Sequence, residues 1–184
     1  MKWEGRTLAK QQQEEYKVLF SRKEDKHEHG VGFPLHQDIM NTVMGCRQVS
    51  SRFTIGLRAV LVNIIIVQAY APTSDYDDNE VEEFCDHLQN DIDQTPKKSI
   101  PFVQGHWNAE AGRDACRNWQ CISGPFWNDD TKERGLWLLQ FAIFIHVVLA
   151  NTFGHHKTSR SCTCHSSNGQ HHTQIGYIEG SASI

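Results

Sequence analysis

The segment Gly105-His106-Trp107-Asn108-Ala109 follows an apolar run, Ile100-Pro101-Phe102-Val103. A strand that ends in a titratable His and a polar Asn is where an α/β protein places chemistry, because the strand end opens into a crevice. His106 and Asn108 alternate with Trp107, so on extended chain they share one side. Two polar groups converging there could orient a substrate, or Asn108 could simply make the strand-to-loop turn. The residue before Trp107 decides the chemistry. A carboxylate there could hold a hard cation such as Mg²⁺, and an imidazole is poorly suited to that task.

Three other groups have chemical potential. Tyr70 ends an apolar run just before Ala71-Pro72-Thr73. Its hydroxyl could bond a phosphate or a metal-bound water, or its ring could close the core with the hydroxyl left wet. Cys162-x-Cys164-His165, with His171-His172 nearby, suggests soft-metal binding. Zinc sites usually place two to four residues between paired cysteines, however, so a solvated His-rich loop is the plainer reading. Asp75, Asp77 and Asp78 could suggest calcium, but the Gly and distal Glu of an EF-hand loop are missing, and helix capping explains them better.

The elements that must position these residues follow from apolar pattern and turn signals. Residues 7–16 favour helix by propensity without a clear apolar stripe. Residues 23–29 read as a charged loop, and 30–35 as a short strand edged by Pro34. Residues 53–57 read as a strand. Residues 60–70 form the strongest strand, with a β-branched density that implies burial on both faces. Asp77, Asp78 or Asn79 can cap a helix carrying Val81, Phe84, Leu88 and Ile92 on one face. Residues 100–103 form the next strand, giving a βαβ-like unit in a mixed sheet. Residues 110–130 read as loop. Thr131 is expected to cap a helix over 132–144 with Leu136, Leu139 and Ile143 inward; 147–153 read as a strand, 154–173 as a polar His-rich loop, and 174–178 as a last short strand.

The 184 residues suit a single domain with a core, and 39% hydrophobic with 22% charged residues is a globular composition. A net charge of −4 is no basic footprint for nucleic acid, although a local basic face could coexist with it. The six cysteines have no framework-like spacing, and Met1-Lys2-Trp3-Glu4-Gly5 is not a signal peptide, which points to free thiols in a reducing intracellular setting, nuclear or cytoplasmic rather than secreted. No apolar run reaches the roughly 18 residues of a membrane helix; residues 136–150 are interrupted by Gln140 and His146.

Three segments together resemble the endonuclease/exonuclease/phosphatase superfamily. Gln68-Ala69-Tyr70-Ala71-Pro72-Thr73 is similar to its Tyr-Ala-Pro-Thr motif. Gly105-His106-Trp107-Asn108-Ala109 is similar to its Gly-Asp-aromatic-Asn-Ala motif with the Asp changed. Gln174-Ile175-Gly176-Tyr177-Ile178 is similar to its Gln-Ile-Asp-Tyr-Ile motif, again with the Asp changed. Glu133-Arg134-Gly135 and Asn151-Thr152 fall where the family has similar residues, and the match is strongest to retrotransposon-derived endonuclease domains.

The resemblance implies an α/β four-layer sandwich, two mixed β-sheets flanked by helices, here a single incomplete domain over 1–184, truncated at both ends. It implies descent from a Mg²⁺-dependent phosphodiesterase that cleaves nucleic acid. In that chemistry a carboxylate-bound cation neutralises the phosphate and the leaving oxyanion. By the same resemblance Tyr70 is the phosphate-contacting tyrosine and Asn108 the nucleophile-orienting asparagine. His106 is a vestige standing where the family has its catalytic Asp, and Gly176 stands where it has a carboxylate. Lys2-Trp3-Glu4-Gly5 is similar to the sequence just after the family's metal-binding Glu, and the Ser-Asp-His motif lies past Ile184, so neither is expected here.

A neutral His106 could accept a proton, but a base without a cation leaves the phosphate charge unneutralised. The expectation is therefore a degenerate, catalytically inactive domain that binds no Mg²⁺ and meets nucleic acid weakly or not at all. It would have no membrane association and would gain from a protein partner covering its open sheet edges. The alternatives are a residual metal-dependent endonuclease using Tyr70, His106 and Asn108 with a ligand such as Glu110 or Asp129, and a nucleic-acid-, protein- or zinc-binding module.

Overall fold

The computed structural model describes residues 9–13, 15–20, 31–49, 52–73, 75–126, 130–155, 163–165 and 172–181. The chain forms two compact units: Met1–Tyr70 with Asn90–Val103, and Ala71–Gln89 with Gln104–Ile184.

The first unit opens with β1 (Ala9–Gln13), β2 (Tyr16–Phe20) and β3 (Gly32–His36), an antiparallel sheet in that order. The helix expected over residues 7–16 is thus a strand pair; propensity yields to cross-strand pairing when no apolar stripe is present to bury a helix. Pro34 sits exposed on β3, an edge strand, as its missing N–H requires. A 3-10 turn over Gln37–Thr42 leads to the antiparallel strands β4 (Val43–Val49), β5 (Arg52–Leu57) and β6 (Asn63–Tyr70), and β7 begins at Ser99 beside β6.

Leu19, Val31, Phe33, Leu35 and Ile55 form a buried cluster, with Met40, Val43, Cys46, Leu57, Ile66 and Tyr70 packed on it, so both sheets of this unit share one core. On β6, Ile65, Val67 and Ala69 are buried on the opposite face while Ile66 and Tyr70 join that cluster, so both faces are covered. Val60 and Leu61, expected inside this strand, instead lie in the preceding bend, 99% and 94% exposed. Arg47 reaches the buried Asp91 carboxylate at 3.1 Å and the Gln94 side chain at 2.9 Å, giving that acid both a charge partner and a hydrogen bond.

The second unit contains most of α1 (Asp78–Asp93), the last residues of β7 (Ser99–His106), α2 (Ala115–Asn118), α3 (Glu133–Phe144) and β8 (Val147–Leu149). It ends with β9 (Cys164–His165), β10 (His172–Thr173) and β11 (Gly176–Ser181), ordered β7-β11-β8 in the larger sheet, with β9 and β10 a separate antiparallel pair. Asp77 caps α1: its carboxylate accepts from the Glu80 N–H at 2.9 Å, and the Glu80 carboxylate accepts from the Asp77 N–H at 3.2 Å. This capping box accounts for the acidic cluster in the way the sequence implied. Val81, Phe84 and Leu88 are buried as expected, together with Cys85.

On α3 the inward face is Gly135, Leu138, Leu139, Phe141 and Ala142. Leu139 was placed correctly, but Leu136 and Ile143 are each 44% exposed. The helix is apolar on nearly all sides, so periodicity alone could not choose its core face. Thr131 does not cap it. Its hydroxyl donates to the Asp114 carboxylate and accepts from the Gly112 N–H. The strand expected over 147–153 stops at Leu149 and turns into a short 3-10 segment, Ala150–Thr152, where the Thr152 hydroxyl donates to the Leu149 carbonyl.

Candidate functional site

The site begins where β7 ends. His106 is the last residue of β7, and its carbonyl accepts from the Ala71 N–H at 2.8 Å. Trp107 follows and is 2% exposed; its ring lies edge-on to Phe84 and tilted against Phe141, and its backbone N–H donates to the Ile175 carbonyl at 2.7 Å. The buried indole therefore anchors the strand end, and the polar residues on either side of it stay half-buried. Asn108 has φ of 50°, in the left-handed region that Asn tolerates better than most residues. Its side-chain amide donates to the Ala71 carbonyl at 2.7 Å. His106 and Asn108 thus close on opposite sides of a single residue, Ala71, the one that follows Tyr70 in the chain.

Tyr70 itself is the last residue of β6 in the first unit, half-buried against the Leu19–Phe33–Ile55 cluster. Its ring packs against that core.

The Gln174-to-Ile178 motif is held mainly by its backbone. The Thr163 hydroxyl accepts from the N–H groups of Ile175 and Gly176 at 2.8 and 2.9 Å. The Asn151 side chain donates to the Gly176 carbonyl and accepts from the Ile178 N–H, each at 3.2 Å. A Cβ built on Gly176 would meet Thr163 at 3.4 Å, an ordinary contact. Tyr177 is 2% exposed; its hydroxyl donates to the Gln174 carbonyl at 2.5 Å and accepts from the Ala111 N–H at 3.4 Å. Burial, and then the charges of Glu110 and Glu179, push that phenol well above the usual tyrosine range.

Other residues deserve a place beside these. Glu110, considered as a metal ligand, pairs with the Lys132 ammonium. Asp129, Cys162 and His171 lie outside the described residues. Backbone register places His165 opposite His172 and Cys164 opposite Thr173. Arg134 donates to the Tyr76 carbonyl at 2.8 Å and faces Asp78 at 3.4 Å. Gly135 lies so close to the Glu110 carbonyl that an added Cβ would fall 1.9 Å from that oxygen.

Glu179 was not singled out from the sequence. It is fully buried on β11, its carboxylate oxygens have no hydrogen-bond partner among the described residues, and burial raises its pKa well above the ordinary 4.5. Its period-two relation to Tyr177 was the available signal, since both then face inward. Thr163, in a polar stretch without pattern, carried none.

No group of three or more His, Cys, Asp or Glu side chains able to hold a metal ion occurs among the described residues. With an imidazole at 106, a glycine at 176 and Glu110 engaged by Lys132, the donor set at this strand end does not fit Mg²⁺. No helix among the described residues is long and apolar enough to cross a membrane.

The fold is similar to that of solved endonuclease/exonuclease/phosphatase domains, the α/β class the motifs implied. The endonuclease domain of TRAS1, a telomere-specific non-LTR retrotransposon, superposes with a TM-score of 0.56 at 12% identity, over 89% of this chain and 67% of that one. D. rerio TDP2 complexed with single strand DNA product gives 0.53 at 8% identity, over 91% and 62%. An endonuclease/exonuclease/phosphatase family protein from Leptotrichia buccalis gives 0.51 at 9%, over 90% and 60%. In sequence the chain resembles craniofacial development protein 2: it is 26% identical to the Bos taurus protein over 179 residues and 27% identical to that of Tragulus javanicus over 183. Those alignments take in 97% of this chain, which spans only about three tenths of the length of these relatives (29% and 30%). No family model matches the chain.

Proposed function

We propose that this chain is a degenerate endonuclease-like domain, derived from a metal-dependent phosphodiesterase and without catalytic activity of its own. One observation carries the reading: at the end of β7, where a nuclease of this fold would need a hard oxygen ligand, the chain presents His106 beside an Asn108 whose amide is spent on the Ala71 carbonyl. Gly176 removes a second carboxylate position.

Phosphodiester cleavage requires charge stabilisation at the phosphate, usually the largest catalytic contribution, and no cluster of ligands among the described residues would hold the cation that provides it. Tyr70, Asn108 and His106 are the remnants of that machinery. Such losses do not add, because once the assembly fails little activity is left to lose. Nucleic-acid affinity is weak at a net charge of −4, and a protein partner covering open sheet edges is the more favourable association. The chain is read as a single domain of an intracellular protein.

The test is a supercoiled-plasmid nicking assay in Mg²⁺ and in Mn²⁺, on a preparation whose thermal melt is cooperative. Nicking no greater than that of a Tyr70→Phe/Asn108→Ala control is expected. Metal-dependent nicking clearly above the control would overturn the reading.

A further inference from the structure

The second unit also carries a groove on its helices. It lies between α1 and α3, holds about 440 Å³, and is lined by Glu82, Cys85 and Asp86 on one side and Trp137, Gln140, Phe141 and Phe144 on the other. Its floor is aromatic: Trp137 and Phe141 stack with their planes 3° apart and centroids at 5.8 Å. Phe144 is 70% exposed, and Leu136 and Ile143, each 44% exposed, prolong the apolar surface along the outside of α3. A helix that is apolar on its outer as well as its inner face leaves a hydrophobic stripe for another element to cover.

The rim opposite is acidic. Over Asp78–Asp93, α1 carries seven carboxylates and no Lys or Arg. Glu82 and Asp86 stand one turn apart on the groove side. Like charges at that spacing disfavour a helix on their own, and a cation between them reverses the sign.

We propose that this groove receives a basic amphipathic helical segment of a partner protein. An apolar side chain of the segment would seat between Trp137 and Phe144, and its Lys or Arg residues would face Glu82 and Asp86. The choice of occupant rests on charge complementarity. A second copy of this chain would bring the same acidic helix, an anionic lipid surface would be repelled by the rim, and an acidic peptide would meet like charge. The elongated apolar stripe, with side chains at 136, 143 and 144 on one face, suits a helix laid along it.

The experiment uses the full chain and a fluorescein-labelled amphipathic peptide of lysine and leucine, read by fluorescence anisotropy. Saturable binding that weakens as salt is raised is expected, with a glutamate-for-lysine version of the peptide not binding. Phe144→Ser should weaken binding about tenfold, as loss of an aromatic anchor does. Glu82→Gln should weaken it by about threefold or more, the scale of a partly exposed charge pair, while Glu83→Gln, one residue away and outside the groove, should not. These side chains are exposed, so their thermal melts should match the parent and report on folding separately. Absence of binding overturns the proposal. So does equal weakening by Glu82→Gln and Glu83→Gln, or binding indifferent to Phe144→Ser. Concentration-dependent dimerisation lost in Phe144→Ser without peptide binding assigns the groove to a second copy, and also overturns it.

Discussion

The side-chain amide of Asn108 donates to the Ala71 carbonyl at 2.7 Å while Asn108 itself holds a left-handed backbone. One residue thus supplies both the turn at the end of β7 and the bond that fixes the chain just after Tyr70. Asn108→Ala loses both features and is expected to cost about 2 kcal/mol, the sum of a lost part-buried hydrogen bond and a left-handed penalty. Asn108→Gly keeps the backbone freedom and loses only the bond, so it should cost about half as much. Urea melts of the two variants give the comparison. Equal costs would mean that the backbone conformation contributes nothing.

Restoring a carboxylate at a single position should not restore cleavage. His106→Asp is expected to leave plasmid nicking at the level of the parent chain, because residue 176 remains glycine and no other cluster of ligands is at hand among the described residues. The pair His106→Asp/Gly176→Asp is the informative extension. The Cβ at 176 has only an ordinary contact with Thr163 to accommodate, so the double variant should fold. Robust Mg²⁺-dependent nicking by His106→Asp alone would contradict the view that the ligand set is broken in more than one place.

Glu179 makes stability depend on pH in a direction opposite to the usual carboxylate. Burial raises its folded-state pKa well above 4.5, so the folded chain retains a proton that the unfolded chain has released. Stability from this group is therefore fully present below about pH 4.5 and is lost as pH rises through the window up to the folded value. At neutral pH the side chain is a burden of about 2 kcal/mol, the scale of an unpaired buried polar group. Glu179→Met should raise the melting temperature at pH 7.5 and flatten its fall between pH 5 and 7.5. No gain at pH 7.5 would mean that the carboxylate finds compensation when ionised.

Gly135 tests the packing of α3 on the loop after Trp107. A methyl group there would sit 1.9 Å from the Glu110 carbonyl oxygen, and it meets backbone rather than a side chain that could swing away. Gly135→Ala gains helix propensity of roughly 1 kcal/mol yet should still lose about 3 kcal/mol net, as overpacking does. Thermal denaturation decides between the two signs.

The order of elements and the strand-end motif could be read from the sequence because they rest on local signals. The β-branched run ending at Tyr70, the capping box of Asp77 and Glu80, and the alternation around Trp107 all act within a few residues. What could not be read was set by partners outside the segment itself. The Ala9–Gln13 strand exists because it pairs with Tyr16–Phe20, not because glutamines prefer strands. The core face of α3 was ambiguous in a segment apolar all round, and Val60 with Leu61 was indistinguishable from the strand it precedes. His106 and Asn108 were found by type and spacing, but the clamps from Asn151 and Thr163 join residues 12 to 27 positions apart.

Those two clamps have a consequence for how such a chain can change over time. Asn151 and Thr163 grip β11 by its amide and carbonyl groups, which every residue except proline provides in full. The side chain at position 176 is therefore not needed to hold the strand in place. A substitution there can change the chemical character of the position without loosening the scaffold. A domain built this way can trade one side chain for another at that position and keep its framework intact.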